Sequence, residues 1–199
     1  MTEAEWLTCD ESRPMLDYVL RNARDRQLRL LSCGCLRLLD GIPFEIQKSL
    51  DYVEKGVDRL LRWEEVGSRV RRLAFQINIR DTDALPWTLL DGPVDAVIGS
   101  VLHFHRAHPL DDRRLTGLLR DIFGNPFRPV SFNPAWRTDT AVALARQMYD
   151  SREFGAMPIL ADALQDVGCE DEAVLSHCRA ANQSHVRGCW VCDLVLGKE

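Results

Sequence analysis

Short apolar stripes at helical spacing, several of them closed by a proline or glycine, constrain this chain more than any other feature. Apolar side chains recur every three or four residues, and no segment alternates with period two long enough to build a sheet. Ser12-Arg13-Pro14 reads as a helix entry with Ser as cap, followed by Met15, Leu16, Val19 and Leu20 on one face. From Asp25 the apolar residues Leu28, Leu30, Leu31, Cys33, Cys35, Leu36, Leu38 and Leu39 surround most of a helix, which makes it central. Gly41-Ile42-Pro43 ends it. Two more stripes follow, Ile46, Leu50, Val53, Val57, Leu60 and Leu61, then Val66, Val70, Leu73, Ala74 and Ile77.

The pattern weakens between Arg80 and Pro109, where Val94, Val97, Ile98, Val101 and Leu102 suggest a helix ending in His103-Phe104-His105. It resumes after Asp111-Asp112 with Leu115, Leu118, Leu119 and Ile122, and stops at Gly124. Asn125-Pro126-Phe127-Arg128-Pro129-Val130 must be extended, because the residue before each proline avoids the helical region. Phe127 to Phe132 is the one candidate strand. Pro134 and Trp136 open a helix facing inward with Val142, Ala145, Met148 and Tyr149. Pro158 to Val167 is another, ended by Gly168. A short helix from Glu170 buries Val174, Leu175 and Cys178, and a last one runs from Cys189 to Leu196 before Gly197. The expectation is an all-α fold, an irregular bundle or array of short helices with at most a minor extended segment. It divides into an N-terminal helical region, 1–105, and a C-terminal one, 106–199, unless the two form one continuous domain. Leu31, Leu38, Leu118, Leu119, Leu160, Leu164 and Trp190 are expected in the core.

A net charge of -5 argues against nucleic acid as the partner, since phosphate binding shows as a basic balance. Such binding would need Arg69, Arg71, Arg72, Arg113 and Arg114 to converge. No apolar run reaches the roughly 20 residues a membrane helix needs. Met1-Thr2-Glu3-Ala4-Glu5-Trp6 carries no basic region followed by an apolar core, so the expected location is cytoplasmic. In a reducing compartment the seven cysteines are expected as buried thiols or metal ligands rather than disulfides.

The last third concentrates the reactive residues: Cys169, His177-Cys178 and His185-Val186-Arg187-Gly188-Cys189-Trp190-Val191-Cys192. Zinc wants four nitrogen or sulfur ligands in a tetrahedron. The candidate set is Cys178, His185, Cys189 and Cys192, with His177 competing with Cys178 for the fourth place. Adjacent residues diverge by about 100° on a helix, so only one of that pair can bind. The preferred reading makes these cysteines small apolar core residues, with His185 a hydrogen-bonding turn residue. A redox role for Cys189-Trp190-Val191-Cys192 lacks the βαβ context of thioredoxin-like sites. Cys33-Gly34-Cys35 and the trio His103, His105 and His108 are read as packing and as surface or helix-end residues. Phe127, Arg128 and Trp136 are candidate interaction residues, since aromatic side chains and Arg anchor interfaces. The same loop also reads as a brace, with Arg128 pairing Asp121 or Asp162.

The segments Met1–Asp10, Pro14–Leu16 and Asp25–Cys33, with Leu119–Val130, Pro158–Leu164 and His185–Trp190, resemble a family of uncharacterised helical proteins abundant in planctomycete-type genomes. The resemblance covers both ends of the chain and implies no activity. Chains of that family often lack a cysteine matching Cys192, which, by what the resemblance implies, counts against a metal site relying on Cys192.

No phosphate loop, GxSxG or HExxH motif is present. The leading expectation is therefore a non-enzymatic helical module that binds another protein and needs no cofactor. The alternative is a zinc-binding regulatory or hydrolytic protein using the C-terminal His/Cys cluster. The segment from His185 to Gly197 is expected to dock on the helix Pro158–Val167, with Arg187 paired to Asp162 or Asp166.

Overall fold

A computed structural model describes residues 1–39, 42–77, 111–180 and 183–198. Its described residues form ten α-helices and two short 3-10 turns, with no strand among them. The helices are α1 (Glu3–Thr8), α2 (Ser12–Asn22), α3 (Asp25–Arg37), α4 (Phe44–Val57) and α5 (Trp63–Ile77), then α6 (Asp112–Phe123), α7 (Asp139–Ser151), α8 (Met157–Asp166), α9 (Glu172–Arg179) and α10 (Trp190–Leu196). The protein is thus all-α, an array of short helices. None is long and apolar enough to cross a membrane. The proposed helix near Val94 and the histidines His103, His105 and His108 lie outside the described residues.

The chain forms two compact units, one from Asp10 to Leu115 and the other from Met1–Cys9 together with Thr116–Glu199. The single break expected near residue 106 does not describe this arrangement, because the first nine residues belong with the C-terminal part. Hydrogen bonds give the reason. Trp6, fully buried, donates its indole N–H to the Gly124 carbonyl at 2.9 Å. The Arg120 guanidinium donates to the carbonyls of Trp6 and Cys9 at 2.9 and 2.6 Å. Thr2 and Glu5 form a reciprocal capping box that starts α1 just ahead of Trp6.

In the first unit, α3 is central, as its all-round apolar surface implied. Leu28, Leu30, Leu31, Cys33, Cys35 and Leu36 are all buried, and the helix runs unbroken through Cys33-Gly34-Cys35. Arg37 pairs with Asp51 and with the buried Glu54 across to α4, so the buried carboxylate is not left unpaired. Ser12 was expected as a cap but is the first residue of α2. It is buried, and its N–H and hydroxyl donate to Asp112 instead.

In the second unit the core comprises Ala141, Ala145, Met148 and Tyr149 of α7, Met157, Leu160, Ala161 and Leu164 of α8, Val174, Leu175 and Cys178 of α9, and Val191, Cys192 and Val195 of α10. Leu118 and Leu119 of α6 are also buried. Leu38 and Trp190, expected in the core, are half-buried. Pro134–Trp136 is a separate 3-10 turn rather than the start of α7, because the Thr138 hydroxyl accepts the Ala141 N–H and begins a new helix. The helix α10 packs chiefly against α7 and also against α9, and it meets the expected α8 at that helix's first residue, where Cys192 lies against Met157. Replacing Trp6 with Ala should lower the stability of the second unit by about 3–5 kcal/mol. Urea unfolding followed by circular dichroism measures this, and an unchanged midpoint would show that the N-terminal segment is only a tail.

Candidate metal centre

Helical phase aims two of the site's side chains at one place. In α6, Asp121 lies three residues after Leu118 and just before Ile122, both buried. In α9, His177 lies three residues after Val174 and just before Cys178, again both buried. Each is therefore set about 60° from a core residue, on the flank of its apolar stripe. The other two residues come from the turn ahead of α10. Gly188 adopts a φ of 103°, a conformation that side chains disfavour, and its N–H donates to the Tyr149 hydroxyl at 2.9 Å. That turn presents His185 and then Cys189, the residue capping α10.

Asp121, His177, His185 and Cys189 each offer one ligand atom, and these atoms all lie within 4.8 Å of one another. Asp121 Oδ1 is 2.6 Å from His185 Nδ1 and 3.2 Å from His177 Nε2. Cys189 Sγ is 3.2 Å from His177 Nε2 and 3.8 Å from His185 Nδ1. Outside this ring, Asp121 Oδ2 accepts the Val186 N–H at 2.8 Å, and His177 Nδ1 faces the Gln183 amide at 3.3 Å. Trp190 lies against the His177 ring with centroids 5.1 Å apart. The same indole comes so close to Gly124 that an added Cβ there would sit 3.1 Å from it. The site is closed: the side chains of His177 and His185 are 8% and 5% exposed, and that of Asp121 is not exposed at all.

Burial opposes charge on every member, and for Asp121 and the two histidines the contacts outweigh it. It works against the Asp121 carboxylate, but hydrogen bonds from His177 and His185 outweigh it and hold the pKa below the usual carboxylate value. Burial likewise works against both imidazolium ions, and the bonds to Asp121 and Cys189 overcome it, raising His177 to about 9 and His185 to about 10. Cys189 is pushed well above the ordinary thiol value, first by burial and then by its neighbour Cys192.

Of the residues singled out in the sequence, the structure brings His185 and Cys189 together. His177, not Cys178, takes the place beside them, because the adjacent Cys178 points into the apolar core. Cys192 is also outside the ring, with its Sγ 3.6 Å from Met157 Sδ. All seven cysteines are free thiols. Asp121, the fourth member of the ring, is not among the candidate ligands read from the sequence; its signal is a carboxylate on the edge of an apolar stripe. Nor does Arg128 reach it. Arg128 is exposed and pairs with Glu3 at 2.8 Å, Phe127 is half-buried, and Trp136 packs edge-on against Phe132 beside the core. Arg187 is buried over the Tyr149 ring and donates to the Tyr149 carbonyl at 3.3 Å, while Asp162 pairs with Arg179 instead. No family model, curated protein or solved structure matches the chain.

The pH dependence of the metal-free protein follows from these shifts. Raised histidine pKa values contribute stability that is complete below about 6.5, declines as pH rises, and is gone above about 9 to 10. The depressed Asp121 pKa contributes stability that is present above about 4 and lost as pH falls through the lowered value. Chelator-treated Asp121→Asn should therefore lose the alkaline decline, and its imidazole resonances should titrate at lower pH. Unchanged histidine titration in that variant would contradict the assignment.

Proposed function

We propose that the second unit is a structural zinc module, held by Asp121, His177, His185 and Cys189, within a non-enzymatic helical protein. The observation that carries this reading is convergence. Each histidine turns a single ring nitrogen toward both the Asp121 carboxylate and the Cys189 sulfur. A nucleophilic Cys–His–Asp relay needs the opposite arrangement, with the thiol on one ring nitrogen and the carboxylate on the other. Lone pairs aimed at one point instead suit a cation. A tetrahedron of zinc–nitrogen bonds of about 2.0–2.1 Å and a zinc–sulfur bond of about 2.3 Å has edges of roughly 3.3–3.6 Å. Four of the six edges run from 2.6 to 3.8 Å around that range, and all six lie within 4.8 Å, so small side-chain shifts close the ring on the ion.

Charge supports the same reading. One carboxylate and one thiolate neutralise a dication, so the buried complex carries no net charge to desolvate. Imidazole and thiolate donors favour zinc over magnesium, calcium or manganese. Four protein ligands leave no open position for water, which favours a structural role over a hydrolytic one. Gln183 and the Val186 N–H orient the ligands from outside.

The test is metal uptake by the purified chain after chelation. The wild type should take up about one zinc per chain. At zinc a thousandfold above Kd this should stabilise the fold by about 4 kcal/mol. Cys189→Ser and Asp121→Asn should lose most of that stabilisation, and Cys192→Ser should keep it. Absence of uptake by the wild type, or equal retention by Cys189→Ser, rules the module out.

A further inference from the structure

Cys192 is a buried thiol that the ligand ring does not use. It follows Cys189 by three positions, from the cap of α10 to its first turn. Residues three apart on a helix lie on one face with Cα atoms about 5 Å apart, inside the roughly 4.4–6.8 Å that a disulfide spans, so that a modest side-chain rotation closes the bond. Both side chains are fully buried in the same core, with Met157 Sδ 3.6 Å from Cys192 Sγ. Its sulfur neighbours are Cys189 and Met157. The two other thiols of this core, Cys169 and Cys178, lie outside α10, Cys169 in the loop ahead of α9 and Cys178 on α9.

We propose that Cys189 and Cys192 form a reversible disulfide that excludes the metal, so that the centre exists only in the reduced protein. The inference rests on the zinc reading above and adds its regulation. Cys189 is the sole sulfur ligand in the ring. In the metal-bound protein the exchange takes one Cys189 thiolate, one Cys192 thiol, one glutathione disulfide and one proton. It yields the intramolecular disulfide, two glutathione thiols and the released cation. The protein sulfurs lose two electrons and the glutathione sulfurs gain them. A disulfide sulfur carries no charge and is a poor ligand, so the cation keeps only Asp121, His177 and His185. Its charge is then half-neutralised in a buried site. Metal and disulfide thus compete for one sulfur, and each weakens the other by the same factor. Because both sulfurs are buried, exchange proceeds through local opening of the segment around α10 and is slow.

The experiment equilibrates the full chain in glutathione redox buffers of graded composition, with and without added zinc. Thiols are then trapped, the disulfide mapped by peptide mass, and bound zinc counted. Oxidised wild type should carry a Cys189–Cys192 bond and at least tenfold weaker zinc affinity. Saturating zinc should shift the midpoint ratio of glutathione disulfide to squared thiol upward by tenfold or more. Cys192→Ser should bind zinc like the reduced wild type and keep it across the whole series. Three results overturn the proposal: an oxidised wild type that retains zinc, a disulfide mapped to another pair, or zinc loss from Cys192→Ser matching the wild type. If the reduced wild type takes up no zinc, the metal reading fails instead, and the regulatory proposal fails with it whatever disulfide forms.

Discussion

The second unit depends on what satisfies one buried carboxylate. Asp121 has no exposed surface, and an isolated charge there would cost several kcal/mol. Two imidazoles and a backbone N–H converge on it, from a helix and from a turn more than fifty residues further along the chain. The carboxylate therefore fixes where α9 and the turn ahead of α10 must lie. Any substitution that leaves it charged and alone is opposed by the whole surrounding core.

The neighbouring structure can be understood as support for that convergence. Asp121 sits on α6, whose Arg120 and following Gly124 are tied to the N-terminal segment through Trp6 and Cys9. Trp190 fills the space over Gly124 and lies against His177, so α10, α9 and the end of α6 share one contact. Tyr149 holds the other side, accepting the Gly188 N–H and donating to the buried Asp193. These contacts bury the ring of Asp121, His177, His185 and Cys189 and fix the directions of its side chains.

Helix periodicity made the fold class and most of the core legible in the sequence. Leu31, Leu118, Leu119, Leu160 and Leu164 are buried where their stripes placed them, because burial of one helix face is a local property of spacing. His185 and Cys189 were legible for a similar reason, being four residues apart in a turn. Asp121 was not. It is 64 residues from His185, and only tertiary packing brings them together. The choice between His177 and Cys178 was open because both sit at the edge of the same stripe; the 100° between adjacent residues turns one into the core and the other toward the ring. For Arg128 and Arg187 charge alone suggested carboxylates of the C-terminal part as partners, whereas Arg128 pairs with Glu3 and Arg187 donates to the Tyr149 carbonyl, contacts set by tertiary packing.

The central claim concerns one coordination sphere, and X-ray absorption of the zinc-loaded protein reads it directly. The account requires one sulfur at about 2.3 Å and three nitrogen or oxygen atoms at about 2.0–2.1 Å. A shell with two or more sulfurs would bring Cys192 or Cys178 into the site and contradict the Asp121 assignment. A six-coordinate shell of oxygen and nitrogen alone would show that zinc sits elsewhere.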